Sequence, residues 1–509
     1  MTAHDFYGST WYAETAVPNP VRERLTFDLN VDVCVIGGGL AGLTVAREVA
    51  KRGWSVGVLE AKRVAWNASG RNDGFVLPGF SQDPQAIIER VGRKRARDLW
   101  SLSQGGVDYV RRTIEETGMR DVHSTAGWLS VSKIDRADAV SHEAALLRDE
   151  MGADIEFWPT DLVRSKLKSA RYFQAIHYPT AFHIHPLNYA IGLADAAQRA
   201  GARIFELTPA LSIDPAGVRK RIVTPNGRVR ATHVVLAGNV HLGGAMPQIA
   251  RTLIASSTYV AVTEPLGDAA RSAIDYRGAV SDSEWADSHY KLLPDGRLLW
   301  SGRMTVWPGR PRGYANSLRR EIARVYPQLG KVEISHFWTG MLGNAVHLMP
   351  QIGEVSSGVW LASGFGGHGL NTTAMAGEMI ARAIVENDTT WRLFDSYGLV
   401  WAGGLAGRAA VQVAYWASRV SDAVAAARSR AREAKVRRAA ARAEERAARE
   451  AQAEAQAHAQ AVAEDAARLT AQAVETIVAE EPAIAPAPRK RPRKKKTAPK
   501  TAPSESETL

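Results

Sequence analysis

The chain is almost free of cysteine. Cys34 is the only one in 509 residues, so no disulfide can form within one chain, and a reducing cytoplasm is the expected setting. Long apolar runs are also missing. The nearest, Leu399–Ala417, contains Arg408 and Gln412, so no bilayer-spanning helix is expected. Met1–Tyr7 has no basic stretch leading into an apolar one, and no secretory signal is expected. His183 and His185 stand two apart without further ligands nearby. They read as core or surface histidines, and no metal site is expected. The formal charge of +11 is unevenly placed. Arg489–Lys500 is strongly basic and contains no acid, so the rest is only mildly basic, and whole-chain charge is no argument for nucleic-acid binding. The length admits two or three domains.

What is present begins at Val31–Glu60. A β-branched run, Val31–Ile36, predicts a buried strand. Gly37, Gly39 and Gly42 follow at the G-x-G-x-x-G spacing, then helical periodicity through Lys51, then a second strand over Ser55–Leu59 ending at Glu60. This is a dinucleotide fingerprint in its required strand–helix–strand context. Gly37 permits the tight turn, Gly39 lets the backbone approach a pyrophosphate, and Gly42 lets helix and strand pack closely. The helix start at Leu40 and Ala41 offers N–H groups and a positive dipole end to phosphate. Glu60 can take both ribose hydroxyls and repels a 2′-phosphate, which argues against NADP; Ala61 and Lys62 follow it.

The next loop, Trp66–Gly74, packs Ser69, Gly70, Arg71 and Asn72 together. Such a loop hydrogen-bonds an anion and a ring edge, with Arg71 a partner for pyrophosphate charge. Helices are predicted over Ala86–Gly118 and Asp135–Met151, a strand over Trp128–Ser132, a turn at Phe157–Pro159, and a helix after His185 through Ala200. Short strands surround Ala210. His233–Ala237 predicts a buried strand ending in Gly238 and Asn239, where a cofactor can lie against the backbone. Residues 254–349 predict an antiparallel sheet bearing Trp285, Tyr290, Trp300, Arg303, Trp307 and Trp338. Each aromatic reads as core or as pocket wall; the block is the best pocket candidate. After a strand at Val359–Ser363 comes a second glycine-rich turn, with Gly364, Gly366, Gly367, His368, Gly369, Leu370, Asn371 and Thr372, feeding a helix placed at Ala374–Glu386. A reduced flavin carries negative charge at its N1–C2=O edge, which a helix start can hold. Two such starts, far apart in sequence, match a flavin dinucleotide.

These stretches resemble the FAD-dependent D-amino acid oxidase superfamily, which includes glycine and sarcosine oxidases, with the pattern nearest to the γ-glutamylputrescine oxidoreductase-like branch. The carriers are Val31–Glu60, Ala68–Asn72, His233–Asn239 and Gly364–Thr373, with Trp11-Tyr12 ahead of them; the likeness covers roughly Ser9 to Asp422. It implies an α/β fold: a glutathione-reductase-like, Rossmann-type FAD domain interrupted by a mixed antiparallel-sheet substrate domain. It also implies C–N bond oxidation, with a neutral amine giving a hydride to flavin N5, the imine hydrolysing, and oxygen forming hydrogen peroxide. His368 and Asn371 would lie by the flavin, and Tyr290, Lys291, Arg303 and Trp338 would line the substrate pocket. Lys291 reads either as a surface lysine or as positive charge that helps oxygen react. Asp73 stands where the family usually has glycine, either favouring a cationic substrate or impairing the site. Cys34 sits in the first strand, so the FAD is expected to be non-covalent.

The expected organisation is a lead over 1–30, an FAD domain over 31–253 and 350–422 with interspersed substrate-domain segments, and a main substrate block over 254–349. An Ala/Arg/Glu-rich helix over 423–481 and a disordered basic tail over 482–509 follow. The helix reads as solvated or as a weak coiled coil, and the tail as a solubiliser or a contact for nucleic acid or an anionic membrane. The functional expectation is an amine oxidase. Its alternatives are a same-fold dehydrogenase feeding a quinone or electron carrier, and a flavoprotein adaptor tethered by its tail.

Overall fold

A computed structural model describes residues 7–282, 288–307 and 311–479. The basic tail and Trp285 lie outside the described residues. The chain divides into two units, Met1–Arg432 and Glu433–Leu509.

The fingerprint forms the middle of an eight-stranded sheet. Leu29–Ile36 pairs in parallel with Arg228–Leu236 on one side and Val56–Leu59 on the other. Val359–Ser363 and Arg203–Phe205 extend the parallel arrangement outward. Parallel strands need both faces covered, and Val33, Cys34, Val35, Val58, Val234 and Leu236 are accordingly buried. Gln351–Ser356 closes one edge in antiparallel fashion.

The helix Leu40–Lys51 packs on this sheet and against helix Gly369–Glu386. Two glycines set these distances. A Cβ on Gly42 would lie 2.0 Å from the Gly37 carbonyl oxygen, and one on Gly377 would lie 2.5 Å from Thr44 Cβ. Neither contact leaves room for a side chain, so the helices that begin at the two glycine-rich turns are held back to back.

A second sheet has nine strands. Its main path runs Ile334–Ala345, Leu253–Thr263, Leu298–Thr305, His289–Leu292, Ala279–Asp282, Thr125–Val131, Ala175–His183 and Phe75–Val76. One face packs on helix Pro311–Val325, where Tyr259, Tyr290, Trp300, Leu318, Ile322 and Tyr326 form a core of their own. The other face looks toward the dinucleotide half. Strands between residues 75 and 183 join this sheet, so its segments interleave in sequence with those of the first.

Several boundaries differ from expectation. The predicted helix over Ala86–Gly118 is two helices, Pro84–Val91 and Arg93–Thr117, parted at Gly92 with φ +78°. Glu156–Trp158 is an edge strand rather than a turn. The helix predicted to start at Ala374 begins at Gly369, and the one predicted from Ala423 is already helical at Gly404 and runs to Ala479. In the second unit that helix is exposed from Ala434 to Ala479, with i,i+4 pairs such as Arg449–Glu445 at 2.7 Å. Trp11 and Tyr12 of the lead are buried as expected, while Phe27 is part-exposed.

Candidate active site

Both glycine-rich turns open on one cavity of about 1020 Å³. Gly37, Gly39, Leu40 and Ala41 line it from the first turn, and Gly366, Gly367, His368, Gly369 and Leu370 from the second. Gly37 takes φ +114°, which a side chain would oppose. Gly39 and His368 are the N-cap residues of their helices, and neither supplies a capping side-chain hydrogen bond. Ser69 Oγ accepts the Leu40 N–H at 3.1 Å, and Ser81 Oγ accepts the Gly367 N–H at 2.9 Å. Two helix starts thus face a shared cavity with donors and positive dipole ends, as a ligand with a diphosphate and an electron-rich ring requires.

Glu60, Ala61, Lys62 and Ala210 line the cavity next to the first turn. The Glu60 carboxylate accepts the Gly38 N–H and the Lys62 N–H, each at 2.7 Å. Burial nevertheless raises its pKa above the usual carboxylate range. The bonds fix its orientation at the strand end. Ser69, Arg71, Asn72, Asp73, Gly238 and Asn239 also line the cavity. Asn72 does local work: its Nδ2 donates to the Ala68 and Ser69 carbonyls, and its Oδ1 accepts the Gly74 N–H. The Arg71 guanidinium donates to the carbonyls of Tyr7 and Thr339, at 3.1 and 3.4 Å. The residues present fit an FAD: a tight turn, a ribose-facing acid and two uncapped helix starts occupy one cavity. Cys34 is buried in the central strand and is absent from the lining, and burial raises its thiol pKa.

Other expected residues fall elsewhere. Gly42, Gly70, Gly364 and Thr372 lie behind the lining. Gly42 and Gly70 serve packing, with a Cβ on Gly70 meeting the Ala65 carbonyl oxygen at 2.4 Å, and the Thr372 hydroxyl donates to the His368 carbonyl. Asn371 is a strut: it is buried, and its Nδ2 donates to the carbonyls of Gly79 and Ser103, at 3.3 and 3.4 Å. Tyr290 is also outside the lining. It stacks on Trp300, with ring centroids 4.4 Å apart, and its hydroxyl meets that of Tyr326 at 2.6 Å. Tyr290 and Lys291 are neighbours on one strand, so they point to opposite faces and cannot line one pocket together.

Lys291 is buried rather than at the surface. Its Nζ donates to the Ile184 carbonyl at 2.8 Å, beside the rings of Tyr12 and Phe75. Burial lowers its pKa to about 7, with Asp73 opposing the shift. It stands behind the wall that Asp73 and Phe75 form, not in the lining. Trp338 likewise faces a smaller cavity, formed with Tyr7, Gly8 and Tyr259, and its indole N–H donates to the Arg71 carbonyl. Arg303 does line the main cavity, at φ +61°, with its guanidinium paired to Glu321. Trp307 is part-exposed beneath the Arg408 guanidinium.

His368 is a neutral imidazole in the wall; burial, aided by His289, lowers its pKa to about 4. His183 and His185 are core residues. His185 Nδ1 accepts the Asn188 N–H, so its Nε2 carries the proton and donates to Thr15 Oγ1.

One part of the wall carries no motif in the sequence. Trp100, Trp128, Tyr178, Asp83, Glu143 and Asp282 line the cavity too. The Trp128 and Tyr178 rings lie 4.4 Å apart, and the indole N–H donates to Ser281 Oγ. Asp282 is matched by Lys133 at 2.5 Å. Asp83 accepts the Ala86 N–H, and burial raises the pKa of Glu143. Asp73 accepts the Ser301 hydroxyl at 2.6 Å. The alternation Trp128-x-Ser130 was the only available signal, since it puts both residues on one face of a strand.

Comparison with known proteins matches residues 32–383 to the family model described as FAD dependent oxidoreductase. γ-Glutamylputrescine oxidoreductase of Escherichia coli K12 is 34% identical over 390 residues, spanning 75% of this chain and 90% of that protein. A probable oxidoreductase OrdL of Haemophilus influenzae is 29% identical, over 72% of this chain and 85% of its own length. Among solved structures, glycine oxidase from Geobacillus kaustophilus superposes with TM-score 0.62 at 19% identity, covering 73% of this chain and 99% of the other.

Proposed function

Since this chain belongs to the family of FAD-dependent oxidoreductases, we propose that it oxidises the C–N bond of a small amine, amino acid or polyamine derivative, with a γ-glutamylputrescine-like compound as the leading candidate. One observation carries the reading: two glycine-lined helix starts share a cavity that continues between aromatic rings and carboxylates. When bound, FAD would supply a two-electron acceptor for oxidation of the C–N bond, with oxygen as the proposed final acceptor and hydrogen peroxide as its product.

The chain's own residues do the rest. Glu60 fixes the ribose end. Gly39 and the start of Leu40–Lys51 would hold the diphosphate, and the start of Gly369–Glu386 the electron-rich edge of the ring. His368, held neutral by burial, donates or accepts a hydrogen bond without adding charge beside the flavin. Trp100, Trp128 and Tyr178 offer ring faces to a cationic or neutral amine. Asp73, Asp83 and Glu143 make that part of the wall favourable to a second positive group, as a polyamine derivative carries, and the Escherichia coli relative is a γ-glutamylputrescine oxidoreductase. Lys291 puts titratable positive charge behind the Asp73–Phe75 wall, which supports oxygen as acceptor. On this reading the first-sheet segments of 31–253 and 350–422 hold the cofactor, the segments between residues 73 and 183 join 254–349 around the substrate, and the enzyme is cytoplasmic. A contact of Arg489–Lys500 with nucleic acid or membrane belongs to the same proposal.

Anaerobic mixing with putrescine derivatives, sarcosine, glycine and D-amino acids tests this. Bleaching of the flavin by a polyamine derivative is the expected result, with peroxide formed once air is admitted. Bleaching without peroxide removes oxygen as the acceptor, and no bleaching by any amine removes the substrate class.

A further inference from the structure

The helix Gly404–Ala479 shows two faces before Arg432. One carries the buried residues Gln412, Tyr415, Ala426 and Ser429. It is tied down by side-chain bonds: Tyr415 Oη accepts the Met304 N–H at 3.1 Å, Gln412 Oε1 the Val306 N–H at 3.0 Å, and Ser429 Oγ the Asp135 N–H at 3.2 Å. Roughly a third of a turn away lies a different stripe, since the spacing of Leu405, Val413, Trp416, Val420 and Val424 keeps them within an arc of about 100°. These are exposed by 71%, 60%, 59%, 66% and 43%, and Trp401, just ahead of the helix, by 68%. Single exposed apolar residues are ordinary. A continuous stripe with two tryptophans marks a contact surface.

Charge selects the partner. Of the arginines between Gly404 and Arg432, Arg408 donates to the Val306 carbonyl above Trp307 and Arg419 pairs with Glu321, both on the side facing the body, while Arg428 and Arg432 are exposed just past the end of the stripe, and Asp422 is the only acid of the stretch. A contact between two copies of the stripe offers Arg428 and Arg432 no carboxylate partner from the same stretch, because its one acid, Asp422, already accepts the Ser418 hydroxyl. A negatively charged lipid surface is complementary to them, and tryptophan beside arginine is the composition of helices that lie in such an interface. The same stretch cannot cross the bilayer, because Arg408 and Gln412 interrupt its apolar run. We propose that the Leu405–Val424 stripe, with Trp401, docks the protein on anionic lipid, the helix lying in the plane of the surface. The stripe is not part of the cavity lining, it is distinct in sequence from Arg489–Lys500, and the proposal stands whatever amine the cavity accepts.

The test is flotation of the FAD-loaded full chain with phosphatidylcholine vesicles, with and without about 30 mol% phosphatidylglycerol. Binding only to the anionic vesicles, weakened by salt, is expected. The double variant W416S/V420S should lose about tenfold or more in vesicle affinity, with flavin content and turnover unchanged. Replacing the Lys and Arg of 489–500 by Gln should leave residual binding that still depends on Trp416 and Val420. Deuterium exchange over 404–424 in the unaltered protein should slow when anionic vesicles are added, a readout that needs no variant. The proposal is overturned by W416S/V420S binding as the unaltered protein does, by unchanged exchange over 404–424, or by loss of all binding with the tail charges. A double variant that only turns a dimer into a monomer assigns the stripe to a second copy and overturns it as well.

Discussion

Lysine 291 offers a direct measure of the electrostatics behind the cavity wall. It is 2% exposed, and burial takes its pKa from 10.5 to about 7. In the unfolded chain it keeps its proton up to pH 10.5; in the fold it gives it up near pH 7. Between those values the unfolded state binds more protons, so stability rises with pH across that window. The cost of burying the ammonium is fully present below pH 7 and absent above the unfolded value. Integrating from pH 7 to about 9.5 gives a gain of about 3 kcal/mol from this one group. The groups facing it do not blur the result. His183 and His185 are neutral, with pKa values lowered to about 3, and burial holds the Tyr12 hydroxyl neutral throughout the window. Lys291→Met has no proton to lose. Urea unfolding of both proteins, saturated with FAD, at pH 7 and at about pH 9.5 should therefore show the stability difference between them changing by about 3 kcal/mol. Parallel pH dependence would refute the buried, depressed lysine and remove the support it lends to oxygen as the acceptor.

Gly42→Ala places a methyl group 2.0 Å from the Gly37 carbonyl; a stability loss of about 1–3 kcal/mol and a purified protein depleted of flavin absorbance are expected. His185→Gln should flatten the acid limb of stability: the buried imidazole titrates near pH 3 rather than 6.5, so by about pH 5 it costs the unaltered fold about 2 kcal/mol that the variant does not lose. Unfolding midpoints at pH 7 and pH 5 read that difference. Tyr290→Phe should leave turnover intact while costing about 1 kcal/mol for the lost bond to Tyr326, and a large fall in kcat would put Tyr290 back in the site. Asp73→Asn should raise KM for a diamine about tenfold relative to a neutral amine, as steady-state kinetics on matched substrates would show.

The sequence by itself determined the local chemistry of both turns. A β-branched strand, three spaced glycines and a terminal acid permit little besides a dinucleotide turn, because each residue's role is set within a few positions of itself. Period-two and period-3.6 patterns likewise located most strands and helices. What the chain could not reveal was which residues share a face across elements far apart in sequence. Tyr290 and Lys291 looked alike as pocket residues, and only strand pairing sends one into a helix-covered core and the other behind Asp73. Asn371 looked like a neighbour of the flavin until the carbonyls of Gly79 and Ser103 claimed it. Glu143, from the helix Ala137–Ala145, and Asp83, the N-cap of Pro84–Val91, belong to no motif, yet both line the cavity. The two helices meet because Gly377 lies against Thr44 and the Ala41 carbonyl, a contact between segments far apart in sequence that only a missing Cβ permits, while Gly42 against Gly37 seats the first helix on its own strand.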